Sequence, residues 1–307
     1  MTRPATTLLF TAIAPTIWGT TYIVTTELLP GYSPMTVAML RALPAGMFLL
    51  LIVRQLPKGV WWIRSLILGA MNFSVFWSLL FVSAYRLPGG VAATVGAIQP
   101  LIVIFLAAFV LGNRIRILSI VAAFVGLSGV ALLVLTSSAS LDSLGIAAGL
   151  AGACSMGIGT VLTRKWQPPA SLLAFTAWQL TAGGLLLLPV SFLSVAPHEM
   201  PTFINLLGLL WLGVIGAALT YILWFQGVAR LDPAVVSSLT FLSPVTAVLA
   251  GWIWLHQALT PFQILGAALV IGSIWLGQSD LSAIRHLGKR VALAMRASIQ
   301  GRRTAGE

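Results

Sequence analysis

Charge is almost absent from ten long stretches of this chain, and that absence constrains the fold more than any motif does. The stretches run at about residues 6–27, 34–53, 63–85, 88–111, 115–136, 143–164, 170–193, 203–228, 232–256 and 260–278. Each is near the roughly 20 apolar residues that a helix needs to cross a ~30 Å hydrocarbon core. They are too long for strands and lack the alternation of an outer-membrane barrel. In lipid every backbone polar group needs an internal partner, and a helix supplies one within its own segment. The expected fold is therefore an all-α integral membrane bundle of ten transmembrane helices. Breaks between spans fall where Pro, Gly and charge collect, as in LLPGYSP, RQLPKG, RLPGG and RLDPA. The loops are too short to hold a soluble domain.

Composition excludes the other classes. Only 7% of the 307 residues are charged and 59% are hydrophobic, whereas soluble domains carry about 25% charge. The net charge of +11 does not point to nucleic acid, because the 17 basic residues are scattered between apolar runs. The single cysteine, Cys154, has no disulfide partner and no metal-ligating neighbours, and reads as a small packing residue. The first span has only Arg3 before it and no small-residue cleavage site, so it is expected to be a retained helix rather than a signal peptide.

The basic residues orient the bundle. With the N-terminus in the cytoplasm, Arg3, Arg54, Lys58, Arg64, Arg114, Arg116, Arg164, Lys165 and Arg230 all fall on the cytoplasmic side. So do Arg285, Lys289, Arg290, Arg296, Arg302 and Arg303 in the basic tail, residues 279–307. The exceptions are Arg86, at an outer turn, and Arg41, inside a span. Both termini are then cytoplasmic, and an even number of spans agrees. The tail reads as an orientation signal lying on anionic headgroups.

The two halves resemble each other. YRLPGGVAATVGAIQPLIVIFLAAFVLGNRI lies over ARLDPAVVSSLTFLSPVTAVLAGWIWLHQAL without a gap, at the 144-residue offset from Arg86 to Arg230. PAGMFLLL lies over TAGGLLLL more weakly, at an offset of 137. The expected units are residues 1–139 and 140–278, each with five spans. Five is odd, so the second copy enters the membrane the other way round. Inverted repeats are a common construction of secondary transporters, with the substrate site at the repeat interface near the midplane.

Enzymatic chemistry lacks its groups. The acids are Glu27, Asp142, Glu199, Asp232, Asp280 and Glu307, and the histidines are His198, His256 and His286; all sit at or beyond span ends. Hydrolysis or metal chemistry inside the membrane needs ionisable groups at depth. No phosphate-binding GxxxxGK[ST] loop is present, so no ATP-driven pump is expected, and neither a metal nor a cofactor. The absence of a mid-membrane acid also argues against a proton relay. A carrier that lets its substrate run down its own gradient fits better, with Glu27 the best remaining titratable group.

At this point WGTTYIVT in the first span, QPLIVIFLAAFVLGNRI, and its copy SPVTAVLAGWIWLHQALTP resemble the drug/metabolite transporter superfamily, in its EamA-type branch. The resemblance covers about residues 7–278. It implies ten spans as two five-span inverted repeats. It further implies a bundle that works as a monomer in the inner membrane and exports amino acids or related metabolites. Within the superfamily the YddG-like aromatic amino-acid exporters are the nearest likeness. The chain departs from the family where members carry Glu in an LGE-like motif: Asn113 and Gln257 stand there instead.

Candidate substrate-binding residues follow. Pro100 and Pro244 each remove a helical hydrogen bond and are expected to free the carbonyls of Gly96 and Thr240, with polar Gln99 and Ser243 beside them at symmetric positions. They read either as kinked helices lining a cavity or as kinks that only curve the bundle. The third span offers Asn72, Phe76 and Trp77, and its copy offers Thr220, Tyr221 and Trp224. These would give aromatic walls with few polar groups, as a large apolar amino acid requires. Trp61, Trp62, Trp166, Trp211 and Trp275 lie near span ends and read as interfacial residues. Trp18 and Tyr22, one turn apart in the family-like first-span motif, join the candidates. Arg41, the one charge well inside a span, either attracts a substrate carboxylate or snorkels to pair with Glu27 or backbone carbonyls. The glycines of GIAAGLAGACSMGIG read as a small-residue packing face.

Overall fold

The computed structural model describes residues 4–87, 95–134, 142–193, 201–254, 256 and 260–278. Among these residues there is no strand, and each expected apolar stretch falls on helix. The helical segments group as α1 (Pro4–Gly19, continued by Thr21–Leu28), α2 (Pro34–Val53), α3 (Trp61–Gly69, Ala70–Ser74 and Val75–Arg86), α4 (Gln99–Leu111), α5 (Ile117–Val134), α6 (Ser143–Lys165), α7 (Leu172–Leu193), α8 (Phe203–Leu210, Trp211–Leu219 and Thr220–Arg230), α9 (Pro233–Ser238, Leu239–Phe241 and Leu242–Trp254) and α10 (Pro261–Gln278). Six stretches are long and apolar enough to cross a membrane: Pro34–Val53, Trp61–Ser83, Ser143–Lys165, Leu172–Leu193, Phe203–Arg230 and Pro233–Trp254. Ala5–Gly19, Gln99–Leu111, Ile117–Leu133 and Pro261–Gly277 are shorter apolar helices. The expected tail at 279–307 lies outside the described residues, as do His198, Glu199, Gln257, Asp280, His286 and Glu307.

Local chemistry sets the helix ends. The Asp142 carboxylate accepts the Gly145 N–H (2.6 Å) to start α6, and Asp232 accepts the Ala234 N–H (2.9 Å) to start α9. Thr202 and Asn205 form a reciprocal capping box at α8, and Thr260 with Gln263 does the same at α10. Gly112 ends α4 at φ +70, a left-handed conformation that a residue without Cβ adopts freely. The two carboxylate caps therefore have structural work at the ends of helices. Asp142 also lies 3.5 Å from Arg86, and Asp232 lies 3.9 Å from Arg116.

Two helices change pitch midway. Residues Ala70–Ser74 of α3 and Trp211–Leu219 of α8 are wound as π-helix. The wider turn leaves carbonyls off the regular ladder, which makes them available to other side chains. Under the 144-residue offset the first π segment falls inside the second.

Packing alternates between the halves. α2 lies on α7 and α5 on α10; α3 and α4 lie on α6, while α8 and α9 lie on α1. Exchanging the halves maps this set of pairs onto itself. The helices approach where side chains are smallest. A Cβ at Gly129 would meet the Gly266 carbonyl at 2.8 Å, and one at Gly266 would meet that of Gly129 at 2.6 Å, so α5 and α10 touch backbone to backbone. Lipid provides no hydrophobic drive between helices, so this close packing and interhelical hydrogen bonds hold the bundle. The glycines of α6 serve the same purpose: Gly145 meets Leu87, Gly149 meets Ser83, and Gly159 meets Asn72. Large apolar side chains such as Phe109, Phe192 and Leu193 are turned outward, which suits a surface facing lipid tails.

Three expectations change. Pro100 does not kink a helix from within; it sits in the first turn of α4, after a turn at residues 97 and 98. Pro244 is different: it lies inside the continuous helix Pro233–Trp254, directly after the 3₁₀ turn Leu239–Phe241. In the first turn of a helix the missing N–H has no intrahelical acceptor, so Pro100 is tolerated there without stranding a carbonyl. Trp61 is no interfacial residue: it is buried against Phe175 and Trp178, because α3 starts beneath α7. Cys154 points outward from α6 instead of packing between helices.

Candidate functional site

The π segment of α8 builds the site. Its Gly216 carbonyl accepts two side-chain hydrogen bonds, from Arg41 Nη2 (2.6 Å) and from the Thr220 hydroxyl (2.8 Å). The Thr220 oxygen in turn accepts the Trp18 indole N–H (2.9 Å). A continuous chain of hydrogen bonds thus joins α2, α8 and α1 through one carbonyl.

Arg41 is buried, with 8% of its surface exposed. Its guanidinium carbon lies 4.9 Å from the centre of the Trp77 ring, a cation–π arrangement that strengthens when desolvated. Its Nε is enclosed and has no hydrogen-bond partner. The Gly216 carbonyl is its partner, and Glu27 is not: that carboxylate is exposed and takes a hydrogen bond from Thr26.

Aromatic rings enclose this chain. Trp18 lies 4.9 Å from Tyr221 and 5.2 Å from Trp224; Phe73 lies 4.5 Å from Tyr221 and 5.3 Å from Trp77. Offset, tilted contacts of this kind are the favourable geometry for ring quadrupoles. From Tyr221 the rings continue through Phe225 and Phe175 to Trp61 near the start of α3. Trp18, Arg41, Phe73 and Trp77 come from the first half of the chain, and the facing residues come from the second. Trp77 and Tyr221 occupy matching positions under the 144-residue offset.

The structure therefore brings together five of the sequence candidates: Trp18, Arg41, Trp77, Tyr221 and Trp224. Phe76 is half-buried at the edge of the same core. Gln99 is buried, with an unpartnered amide nitrogen. The Ser243 carbonyl faces Gly19, so that residue serves the α1–α9 contact. Tyr22 lies on α1, but its side chain is outside the described residues.

Asn72 belongs to a second polar cluster. Its amide donates to Gln179 Oε1 (2.8 Å) and Thr163 Oγ1 (3.3 Å), joining α3 to α7 and α6. Nearby, Ser155 donates to the Met71 carbonyl (2.9 Å) and Ser74 to the Gly183 carbonyl (2.8 Å).

Sequence reasoning missed Phe73 and Gly216 as members of the site, and Gln179 as the partner of Asn72. Thr220 was visible as a neighbour of Tyr221, but its bond to Trp18, 202 positions away, was not. No local sequence signal marks the π turn that carries Gly216. Among the described residues no group of three His, Cys, Asp or Glu side chains is placed to hold a metal ion.

Comparison with known proteins supplies the family. The EamA-like transporter family matches the chain twice, over residues 5–135 and 143–277. Protein PecM of Dickeya dadantii is 43% identical over 89% of this chain and 92% of its own length. A probable terminal-alkyne amino-acid exporter of Streptantibioticus cattleyicolor is 27% identical over 76% of each chain. The uncharacterized inner membrane transporter YedA of Escherichia coli K12 is 25% identical over 85% of this chain and 86% of its own. One solved crystal structure shares the fold, with a TM-score of 0.78 at 18% identity over 90% of this chain and 97% of that one. With helices suited to repeated membrane crossing and both halves matched, the chain is a multi-pass membrane transporter, and it belongs to the EamA-like transporter family.

Proposed function

We propose that this protein exports amino acids, in particular aromatic and other large neutral ones, or related metabolites, by alternating access. In this reading residues 1–139 and 140–278 are two five-helix repeats of opposite topology. They lie in the inner membrane with both ends of the chain in the cytoplasm, and a single copy carries out transport. Substrate runs down its own gradient.

One observation carries the proposal: the buried cluster of Trp18, Arg41, Phe73, Trp77, Tyr221 and Trp224 lies between the two halves, on the π segment of α8. An apolar environment with a few convergent polar groups is what a small amphipathic solute needs, and a site between repeats is where rocking halves expose it alternately. The exchange-symmetric packing of the helices supports the repeat. The relative from Streptantibioticus supports the substrate class. Facilitative transport is supported by the acids, since Asp142 and Asp232 cap helices and Glu27 is exposed at a helix end.

Radiolabelled amino-acid flux in proteoliposomes, with and without a pH gradient, tests this. Saturable flux of aromatic and large neutral amino acids that ignores the gradient is the expected result. Flux that requires the gradient keeps the carrier and overturns the facilitative reading. No amino-acid flux from folded protein, with flux of apolar drugs instead, overturns the substrate class.

A further inference from the structure

A cation in an apolar interior needs a compensating charge, and Arg41 has none among its partners. Its neighbours are a backbone carbonyl and the face of Trp77, both neutral. Its Nε–H is enclosed and unpartnered. The described acids are engaged elsewhere: Asp142 and Asp232 at helix starts and near Arg86 and Arg116, and Glu27 at the end of α1. A guanidinium presents donors in a planar fork matched to two carboxylate oxygens. A single carbonyl oxygen fills only part of that fork and leaves the charge uncompensated.

The carbonyl that fills it is also a junction. Gly216 O holds Arg41 of α2 and Thr220 of α8, and Thr220 holds Trp18 of α1. Any group that takes Arg41 away from Gly216 disconnects α2 from this chain, which ties anchoring of a ligand to freedom of motion between the halves.

We propose that the Gly216 carbonyl is a placeholder for a substrate carboxylate, and that a carboxylate-bearing substrate replaces it on Arg41 and so releases α2 from α8 and α1. The proposal rests on the reading of this chain as a small-solute carrier and narrows it. The substrate class is a carboxylate with an aromatic or large apolar side group, which stacks against Trp77 and Tyr221. The buried positive charge excludes amines that lack a carboxylate.

The test compares three probes, L-phenylalanine, L-phenylalaninamide and 2-phenylethylamine, on wild type, Arg41→Gln and Arg41→Lys. Flux is measured in proteoliposomes and ligand-induced thermal shift in detergent. Wild type is expected to carry and be stabilised by phenylalanine and to discriminate against the other two by at least tenfold. Arg41→Gln is expected to lose phenylalanine flux at least tenfold while its flux of the two probes without a carboxylate is retained or raised. Arg41→Lys, which keeps the charge without the fork, is expected to fall between, and it separates a folding defect from a recognition defect. Equal loss for all three probes in folded Arg41→Gln, or wild-type flux indifferent to the carboxylate, overturns the proposal and leaves the carrier intact. An Arg41-dependent thermal shift specific to phenylalanine without any flux keeps the carboxylate site and sinks the transport reading. Absence of both overturns the proposal too.

Discussion

The two π segments solve one physical problem in two ways. In α3 the Met71 carbonyl is taken by Ser155, and Asn72 is fixed to Gln179 and Thr163. All of these partners are neutral, and Gly159 presses its backbone against the Asn72 amide so that nothing else fits. In α8 the Gly216 carbonyl is taken by a charged side chain from another helix, next to aromatic faces. The first arrangement is a seam that cements α3, α6 and α7. The second is an exchangeable contact, because a carboxylate is a better partner for Arg41 than a carbonyl. The same backbone defect is structural or functional according to what satisfies it.

Substitutions in the seam should therefore change stability without changing selectivity, and substitutions in the ring cluster should change transport itself. The largest effect is expected at Gly159→Val. Its Cβ would overlap Asn72, and overpacking of this kind costs about 3 kcal/mol. Thermal unfolding in detergent reads it, and an unchanged midpoint would show that α6 can shift away from α3. Asn72→Ala comes next, at about 2 kcal/mol, because it leaves the Gln179 amide buried and unpaired. Surviving protein should keep its ranking of substrates; an altered ranking would move the seam into the transport path.

Trp77→Leu removes the ring under Arg41 and should cost about 1 kcal/mol of substrate affinity, a several-fold rise in half-saturating concentration in flux assays. Equal affinity in this variant would place the substrate away from Arg41. Trp18→Phe keeps a ring but deletes the donor to Thr220, a change of about 0.5–1 kcal/mol. Its expected mark is a modestly altered maximal flux with unchanged affinity, since the bond joins helices rather than holding the solute. A change confined to affinity would make Trp18 a direct contact.

Much of this was legible beforehand. Ten apolar stretches of helix-spanning length pointed to an all-helical membrane bundle, and their described residues are helical almost throughout, because the low polarity of lipid penalises any segment with open backbone groups. The rings at Trp18, Trp77, Tyr221 and Trp224, and the charge at Arg41, stood out by type and depth. Pro100 misled, because a proline reads the same in the sequence whether it sits inside a helix or in its first turn; only the preceding turn distinguishes the two. Trp61 misled because closeness to a span end does not say which neighbour covers it.

The amino-acid order by itself determined the membrane bundle, the near-repetition of its halves and the identity of its rare polar groups, since each follows from hydropathy and local spacing. Tertiary structure decided which of those groups meet. Arg41 and Gly216 are 175 residues apart, and their bond exists because α2 lies against a helix whose pitch changes at that carbonyl. A widened turn depends on what packs around it, and no stretch of one strand of sequence carries that information.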